Sequence, residues 1–307
     1  MAMQKSPKIG LALGSGASRG WSHVGVIDAL VAEGLEPDII CGTSVGAMVG
    51  ASYVAGNMAK LKDWVLESSR SDVYRFFDIK FSQSGFVDVD RLDQFIHDFV
   101  VGADVEIDQL PKPFLAIATC LNTGQEVWSR GGNVASWVRA SMSLPGLFPP
   151  VHHEDRWLVD GGLVNPVPVT ACRALGADVV IAVNLNADIV GKGMKNRPVP
   201  TAEEEEGLLR YLKQQAREVS STWFTPKEKP ESPPGLLSVV SNSINIFQDR
   251  ITRSRLAGDP ADVMISPRLR DVGLLEFGKA AEAIKTGEEC VARVLPDIKS
   301  KIDSLRG

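Results

Sequence analysis

Between Lys8 and Leu185, short apolar runs of strand length alternate with segments of helical period, and no other feature restricts the fold as tightly. Parallel strands need a crossover of a dozen residues or more between them, usually a helix, so this alternation predicts stacked βα units. Lys8 to Leu13 (KIGLAL) reads as a strand entering Gly14-Ser15-Gly16. A helix follows from about Gly20 to Glu33, with Val24, Ile27, Leu30 and Val31 on one face. Asp38 to Gly42 is a second strand, and Val45 to Ala55 a helix of small residues. Helical segments are expected over 58–78 and 90–100. Phe114 to Leu121 and Glu126 to Ser129 pair as strands across Asn122-Thr123-Gly124. Trp157 to Val159 is a strand ending at Asp160-Gly161-Gly162, Val167 to Leu175 a helix, and Asp178 to Leu185 an apolar strand. The expected class is α/β, with a central, mainly parallel sheet flanked by helices.

After Asn186 the pattern changes. Six of the 18 prolines fall between Pro198 and Pro234, around an acidic-headed helix expected from Glu203 to about Trp223. The stretch from about 188 to 235 predicts a mobile inserted arm, either a plain surface insertion or a lid. Leu236 to Leu256 is an amphipathic helix with Leu236, Val239, Val240, Ile244, Phe247 and Ile251 on its apolar side. Its arginines, Arg250, Arg253 and Arg255, allow docking on a membrane surface, but packing of the apolar side in the core is the preferred reading. A short strand, Asp262 to Ser266, and a helix near Phe277 to Leu295 close the chain. The expectation is one domain over 1–307, with a motif-bearing region at 8–185, the arm, and a helical part at 236–307.

At 307 residues the chain can bury a large core, and 44% hydrophobic with 23% charged residues is ordinary for a soluble protein. A net charge of −5 gives no basic footprint, so no nucleic-acid partner is expected. Cys41, Cys120, Cys172 and Cys290 form no CxxC and read as reduced, buried thiols of a cytoplasmic protein. Met1 to Lys8 lacks the apolar stretch of a signal peptide. Ile39 to Ala59 carries no charge over 21 residues, yet its four glycines and its polar residues read better as strand, turn and helix than as a membrane span.

Gly42-Thr43-Ser44-Val45-Gly46 is a G-x-S-x-G between an apolar strand and a small-residue helix. That context suits a nucleophile elbow, a sharp turn that exposes a serine hydroxyl at a helix N-terminus. A plain tight turn would give the same pentapeptide. Gly14-Ser15-Gly16-Ala17-Ser18-Arg19-Gly20, also between strand and helix, reads as a dinucleotide turn or as an oxyanion-binding loop. A dinucleotide fold needs an acid ending its second strand, and that strand instead enters Gly42-Thr43-Ser44. A short-chain dehydrogenase would show Tyr-x-x-x-Lys; Tyr53, Tyr74 and Tyr211 are followed by Asn57, Asp78 and Gln215. Redox chemistry is excluded on that pattern.

A serine nucleophile needs a base. The usual order is Ser, then Asp or Glu, then His, but His23, His97, His152 and His153 all precede the last 154 residues. His23 lies near a helix start, where packing accounts for it; His152 and His153 read as exposed at a hairpin turn. Asp160, at the end of an apolar strand, remains, although Asp-Gly-Gly alone is more simply a turn.

The four blocks Gly14 to Gly20, Gly42 to Gly46, Arg139 to Pro150 and Asp160-Gly161-Gly162 resemble, in order and spacing, the patatin-like phospholipases, with the small bacterial members related to neuropathy target esterase most similar. The resemblance covers roughly residues 8–185 and implies a three-layer patatin-like fold and a Ser–Asp dyad without histidine. Ser44 is then the nucleophile and Asp160 the general base. Backbone N–H groups of Ser15, Gly16, Ala17 and Val45 would form the oxyanion hole. Gly14, Gly20, Gly42, Gly46, Gly161 and Gly162 are the motif glycines, and Arg19 would orient the loop or meet a lipid phosphate, a solvated arginine at a helix start being the plainer alternative. Ser15 and Ala17 depart from the family's run of four glycines, and Ser18 from the alanine that follows it. The implied activity is hydrolysis of lipid carboxylic esters through an acyl-enzyme, with no metal or cofactor and with peripheral membrane contact and oligomers allowed. Two other readings remain open: acyl transfer to a carrier thiol, which normally wants a late histidine, and a membrane-surface scaffold with an idle site.

Overall fold

The computed structural model describes residues 6–67, 89–189, 236–273 and 276–306. Four strands are buried at every position: β1 (Ile9–Leu13), β2 (Ile39–Thr43), β3 (Phe114–Cys120) and β7 (Val179–Val183). Strands covered on both faces read as unbroken apolar runs, which is why these segments stand out in the sequence. With β4 (Glu126–Trp128), β5 (Val151–His153), β6 (Arg156–Asp160) and β8 (Val263–Ile265) they form one eight-stranded sheet, ordered β5-β6-β3-β2-β1-β7-β8 with β4 paired to β3. From β3 to β8 the neighbours are parallel; β4, β6 and β5 join antiparallel.

Alternate residues feed two separate cores. Leu11, Leu13, Ile40, Ile181 and Val183 point into the larger one. It is covered by α1 (Ser22–Ala32), α2 (Val45–Val54), α3 (Met58–Glu67), α4 (Val89–Phe95) and α5 (Val134–Ser141). Ala12, Ile39, Cys41, Val180 and Ala182 face the smaller core, closed by α6 (Val169–Ala174) and by Leu256 of α7 (Leu236–Gly258). The result is three layers, helices on both faces of a mostly parallel sheet. The last helix, α8 (Ala280–Ser304), lies along α1 so closely that a Cβ on Gly25 would meet the Ile284 carbonyl, and one on Gly287 the Ser22 carbonyl.

Several elements depart from the sequence expectation. Helix α8 runs through Pro296 to Ser304 instead of stopping at Leu295, because Ile298 and Ile302 beyond the proline are buried and hold the extra turns in place. Helix α5 has no counterpart in the predicted elements, although Asn133 caps it, accepting the Ser136 N–H at 2.9 Å. His152 and His153 lie on a true strand, β5, and the hairpin turn falls one step later at Glu154-Asp155. Residues 68–78 of one expected helix, the helix expected over 203–223, and the 188–235 arm beyond Ile189 lie outside the described residues.

The largest correction concerns α7. It buries Asn245, Gln248, Asp249 and Thr252 while Phe247 is 60% and Val239 45% exposed, so these two residues of its apolar side do not pack in the core as expected, and Ile244 and Ile251 are only half-buried. The surface beneath it is polar, as described below, and it takes the helix's polar side. Among the described residues, no helix is long and apolar enough to cross a membrane.

Candidate active site

The turn from β2 into α2 is strained. Ser44 takes φ 57° and ψ −124°, a region that costs a non-glycine residue about 1–3 kcal/mol and survives only when the surroundings enforce it. The enforcement is visible. A Cβ on Gly42 would run into the Gly46 carbonyl and the Ala47 backbone, and one on Gly46 into the Leu13 carbonyl. The Ser44 N–H donates to Ser141 Oγ at 2.8 Å, and Ser141 in turn donates to the Ile117 carbonyl at 2.6 Å. The Thr43 hydroxyl donates to the Asn165 carbonyl at 2.8 Å. The elbow is thus clamped from α5, β3 and the loop after β6, leaving the half-buried Ser44 side chain at the start of α2.

Asp160 reaches the same point from the other direction. β3 extends past the end of β2, with Ile117 level with Thr43, and β6 returns antiparallel along it so that Asp160 stands opposite Ala118. The Ser44 hydroxyl donates to Asp160 Oδ2 at 2.6 Å, across 116 residues of sequence. The other carboxylate oxygen accepts the Gly162 N–H at 2.7 Å. Its own backbone is pinned by the Ser143 carbonyl at 2.9 Å and the Thr119 hydroxyl at 2.8 Å. Burial pushes the Asp160 carboxyl up to about 6, against the opposing pull of the Ser44 hydroxyl and the Gly162 N–H. At neutral pH such a group is mostly ionised, yet it is a far better proton acceptor than an ordinary aspartate.

The glycine-rich turn after β1 lies beside the elbow. Ala17 is in a left-handed conformation, φ 48°. The Gly14 N–H donates to the Val183 carbonyl at 3.0 Å and the Ser15 N–H to the Pro166 carbonyl at 2.8 Å. This corrects one expectation: the Ser15 N–H is already committed and does not face an oxyanion. Among the described residues, the N–H groups of Gly16, Ala17 and Val45 carry no such commitment. Arg19 is 1% exposed, neither a solvated arginine nor one open to a lipid phosphate. It donates to Asn186 Oδ1 at 2.9 Å and Asn245 Oδ1 at 3.0 Å, and Asn186 donates to Gln248 at 2.9 Å. This amide network is the polar surface on which α7 lies.

None of the four histidines hydrogen-bonds to Ser44 or Asp160. His23 is fully buried, and its Nε2 lies 2.8 Å from the Gly14 carbonyl, an acceptor, so Nε2 carries the proton. Burial lowers its pKa to about 4, which keeps it neutral. His97 and His152 are exposed, and His153 packs on Trp137 with ring centroids 4.4 Å apart. Sequence reasoning missed Ser141, Ser143 and Asn186. It also missed the run Asn245, Gln248, Asp249 and Thr252, whose spacing of three, one and three puts four polar residues on one helix face. Among the described residues, no group of three or more His, Cys, Asp or Glu could hold a metal ion.

The family described as patatin-like phospholipase matches residues 11–173, more than half the chain. The chain belongs to this family. Membership makes it a lipid ester hydrolase. An uncharacterized NTE family protein of Mycobacterium tuberculosis is 31% identical over 332 residues, covering 94% of this chain and 92% of that protein. Lysophospholipase nte1 of Aspergillus fumigatus is 29% identical over 300 residues, which are 95% of this chain but 18% of the fungal protein. The crystal structure of VipD from Legionella pneumophila overlays 98% of this chain and 67% of its own at 14% identity, with a TM-score of 0.46.

Proposed function

We propose that this patatin-like protein cleaves lipid carboxylic esters, as a phospholipase, lysophospholipase or esterase, through an acyl-enzyme formed on Ser44 with Asp160 as base. The observation that carries the reading is the 2.6 Å hydrogen bond from Ser44 Oγ to a buried carboxylate, made from a strained elbow at a helix N-terminus. In the first half-reaction, Ser44 Oγ attacks the ester carbonyl carbon while its proton passes to Asp160 Oδ2. The carbonyl oxygen becomes an oxyanion, to which the N–H groups of Val45, Gly16 and Ala17 and the positive end of α2 are the available donors. The C–O bond then breaks, and the departing alcohol takes the proton from Asp160. In the second half-reaction, water gives its proton to Asp160 and attacks the acyl carbon, and Ser44 leaves with that proton as the fatty acid is released.

The Gly162 N–H holds one Asp160 oxygen and leaves the other for the serine, so a histidine is not needed to carry the proton. Similarity to the fungal lysophospholipase supports a monoacyl phospholipid as one substrate. Cytoplasmic placement at the inner membrane surface accords with four free, buried cysteines and a lipid substrate. A fluorophosphonate probe tests the assignment: it should label Ser44 in the wild type, and a panel of diacyl lipids, monoacyl lipids and short esters should then rank substrates. Labelling at another serine, or hydrolysis that survives Ser44→Ala, would overturn it.

A further inference from the structure

Helix α7 (Leu236–Gly258) is mounted with four polar residues buried and three large apolar ones exposed, Ile244 and Ile251 being half-buried between them. Asn245, Gln248, Asp249 and Thr252 are each about 5% exposed or less, and they sit on the amide network that fixes Arg19 and the glycine-rich turn. Arg255 bolts the same helix down further, donating to Val164 O at 2.6 Å and to Glu126 at 2.6 Å. At 100° per residue, Val239, Ile246, Phe247, Arg250 and Arg253 fall on the opposite side. Val239, Ile246 and Phe247 are 45%, 46% and 60% exposed. The stripe carries its large apolar side chains along its first half, with Ser243 among them, and its arginines along its second. The one carboxylate between 236 and 258 is Asp249, buried beneath and paired with Arg253 at 2.9 Å.

We propose that this face of α7 is the surface by which the protein docks on an anionic lipid bilayer. Large apolar side chains with flanking arginines suit the boundary between acyl chains and negatively charged head groups. The helix cannot swing freely, because its inner side is hydrogen-bonded to the same turn that flanks Ser44. Docking therefore fixes the catalytic block against the bilayer, the source of its substrate. The purpose rests on the hydrolase reading, but binding is measured without turnover, so the two can fail separately.

The test uses the full chain and vesicles of phosphatidylcholine, with or without about one-third phosphatidylglycerol. The wild type should float with the anionic vesicles and far less with phosphatidylcholine alone. The double variant Ile246→Ser, Phe247→Ser should lose about tenfold or more of that binding, while hydrolysis of a short soluble ester stays unchanged. Arg250→Glu, which leaves the apolar residues in place, should weaken binding to anionic vesicles only. The four native cysteines are buried, so a polarity-sensitive dye on Phe247→Cys reports this face alone, and its emission should shift to the blue when anionic vesicles are added. Flotation of both variants at the wild-type level would overturn the proposal. So would a dye already shielded without vesicles, or a dimer abolished by the double variant, since either means that protein covers the stripe. Flotation without any ester hydrolysis would leave docking standing and sink the hydrolase reading.

Discussion

Two strand-to-helix turns stand side by side at the carboxyl ends of the adjacent strands β1 and β2, and each forces a non-glycine residue to positive φ, Ala17 at 48° and Ser44 at 57°. They use that strain differently. The first turn is held at its backbone groups: Gly14 and Ser15 donate to Val183 and Pro166, and the Gly14 carbonyl accepts from the His23 side chain. Its left-handed residue carries only a methyl group, so what it offers is a row of N–H groups. The second turn is held by the Ser141 side chain from a distant helix and by its own Thr43 hydroxyl on the Asn165 carbonyl, and what it offers is one hydroxyl aimed at a buried acid. Similar local strain presents backbone N–H donors in one place and a nucleophile in the other. The tertiary partner makes the difference.

Substitutions at the elbow should therefore abolish chemistry, and replacing a side chain that only supports the first turn, such as His23, should mainly move stability. The largest effect is expected for Ser44→Ala, a loss of several orders of magnitude in ester turnover and of all fluorophosphonate labelling, with urea unfolding little changed. Asp160→Asn comes next. The amide can still accept from Gly162 and donate to Ser44 Oγ, but it cannot take the serine proton, so turnover should fall by ~10³-fold or more. Its stability should move the other way. A carboxyl raised from 3.8 to about 6 in the fold binds its proton more tightly there than in the unfolded chain. That contribution is fully present below pH 3.8 and lost as pH rises through 6. At pH 7 and above the neutral amide should thus be more stable, by about 3 kcal/mol at most. Wild-type turnover should fall about tenfold per unit below pH 6 for the same reason. A flat pH–rate profile through that range would break the link between Asp160 and the rate.

Ser141→Ala separates clamp from chemistry. It leaves the Ser44 N–H without its acceptor and loosens the enforced φ, so kcat should drop roughly ten- to a hundredfold with KM little changed. Equal kinetics in a folded variant would show that the glycines alone hold the elbow. The smallest catalytic effect belongs to the side chain beneath the first turn. His23→Gln preserves a donor toward Gly14, and turnover should stay within about tenfold of wild type. His23 titrates near 4 in the fold against 6.5 in the open chain. Its contribution is fully present above pH 6.5 and lost as pH falls toward 4. Between pH 7 and pH 4.5 the glutamine variant should therefore lose less stability than the wild type, by up to about 3 kcal/mol. A catalytic collapse in this variant would make the two turns chemically equivalent and restore a histidine base.

Much of the fold was legible in the residues. Strands β1, β2, β3 and β7 are buried on both faces and so announce themselves as apolar runs, and Ser44 sits between two glycines whose steric necessity the structure makes plain. Asp160 was legible by elimination among the histidines and by resemblance, but not its distance from Ser44. Helix α5 and strand β5 were not legible, being short and dependent on partners distant in sequence. Ser141 looked like any other serine, since its value lies in meeting an N–H 97 residues away.

By itself, the sequence determined the local choices: which segments extend or coil, where glycine is indispensable, and that no histidine stands late in the chain to complete an ordinary triad. Only the tertiary structure decided what those choices meet. The antiparallel return of β6 along β3 puts a carboxylate 2.6 Å from Ser44, and the buried amide network around Arg19 turns α7 polar side in. Backbone propensity and periodicity act over a few residues and are written in the local pattern. A hydrogen bond between groups 116 residues apart, or the orientation of a helix with two usable faces, depends on which surfaces the rest of the chain leaves to be covered.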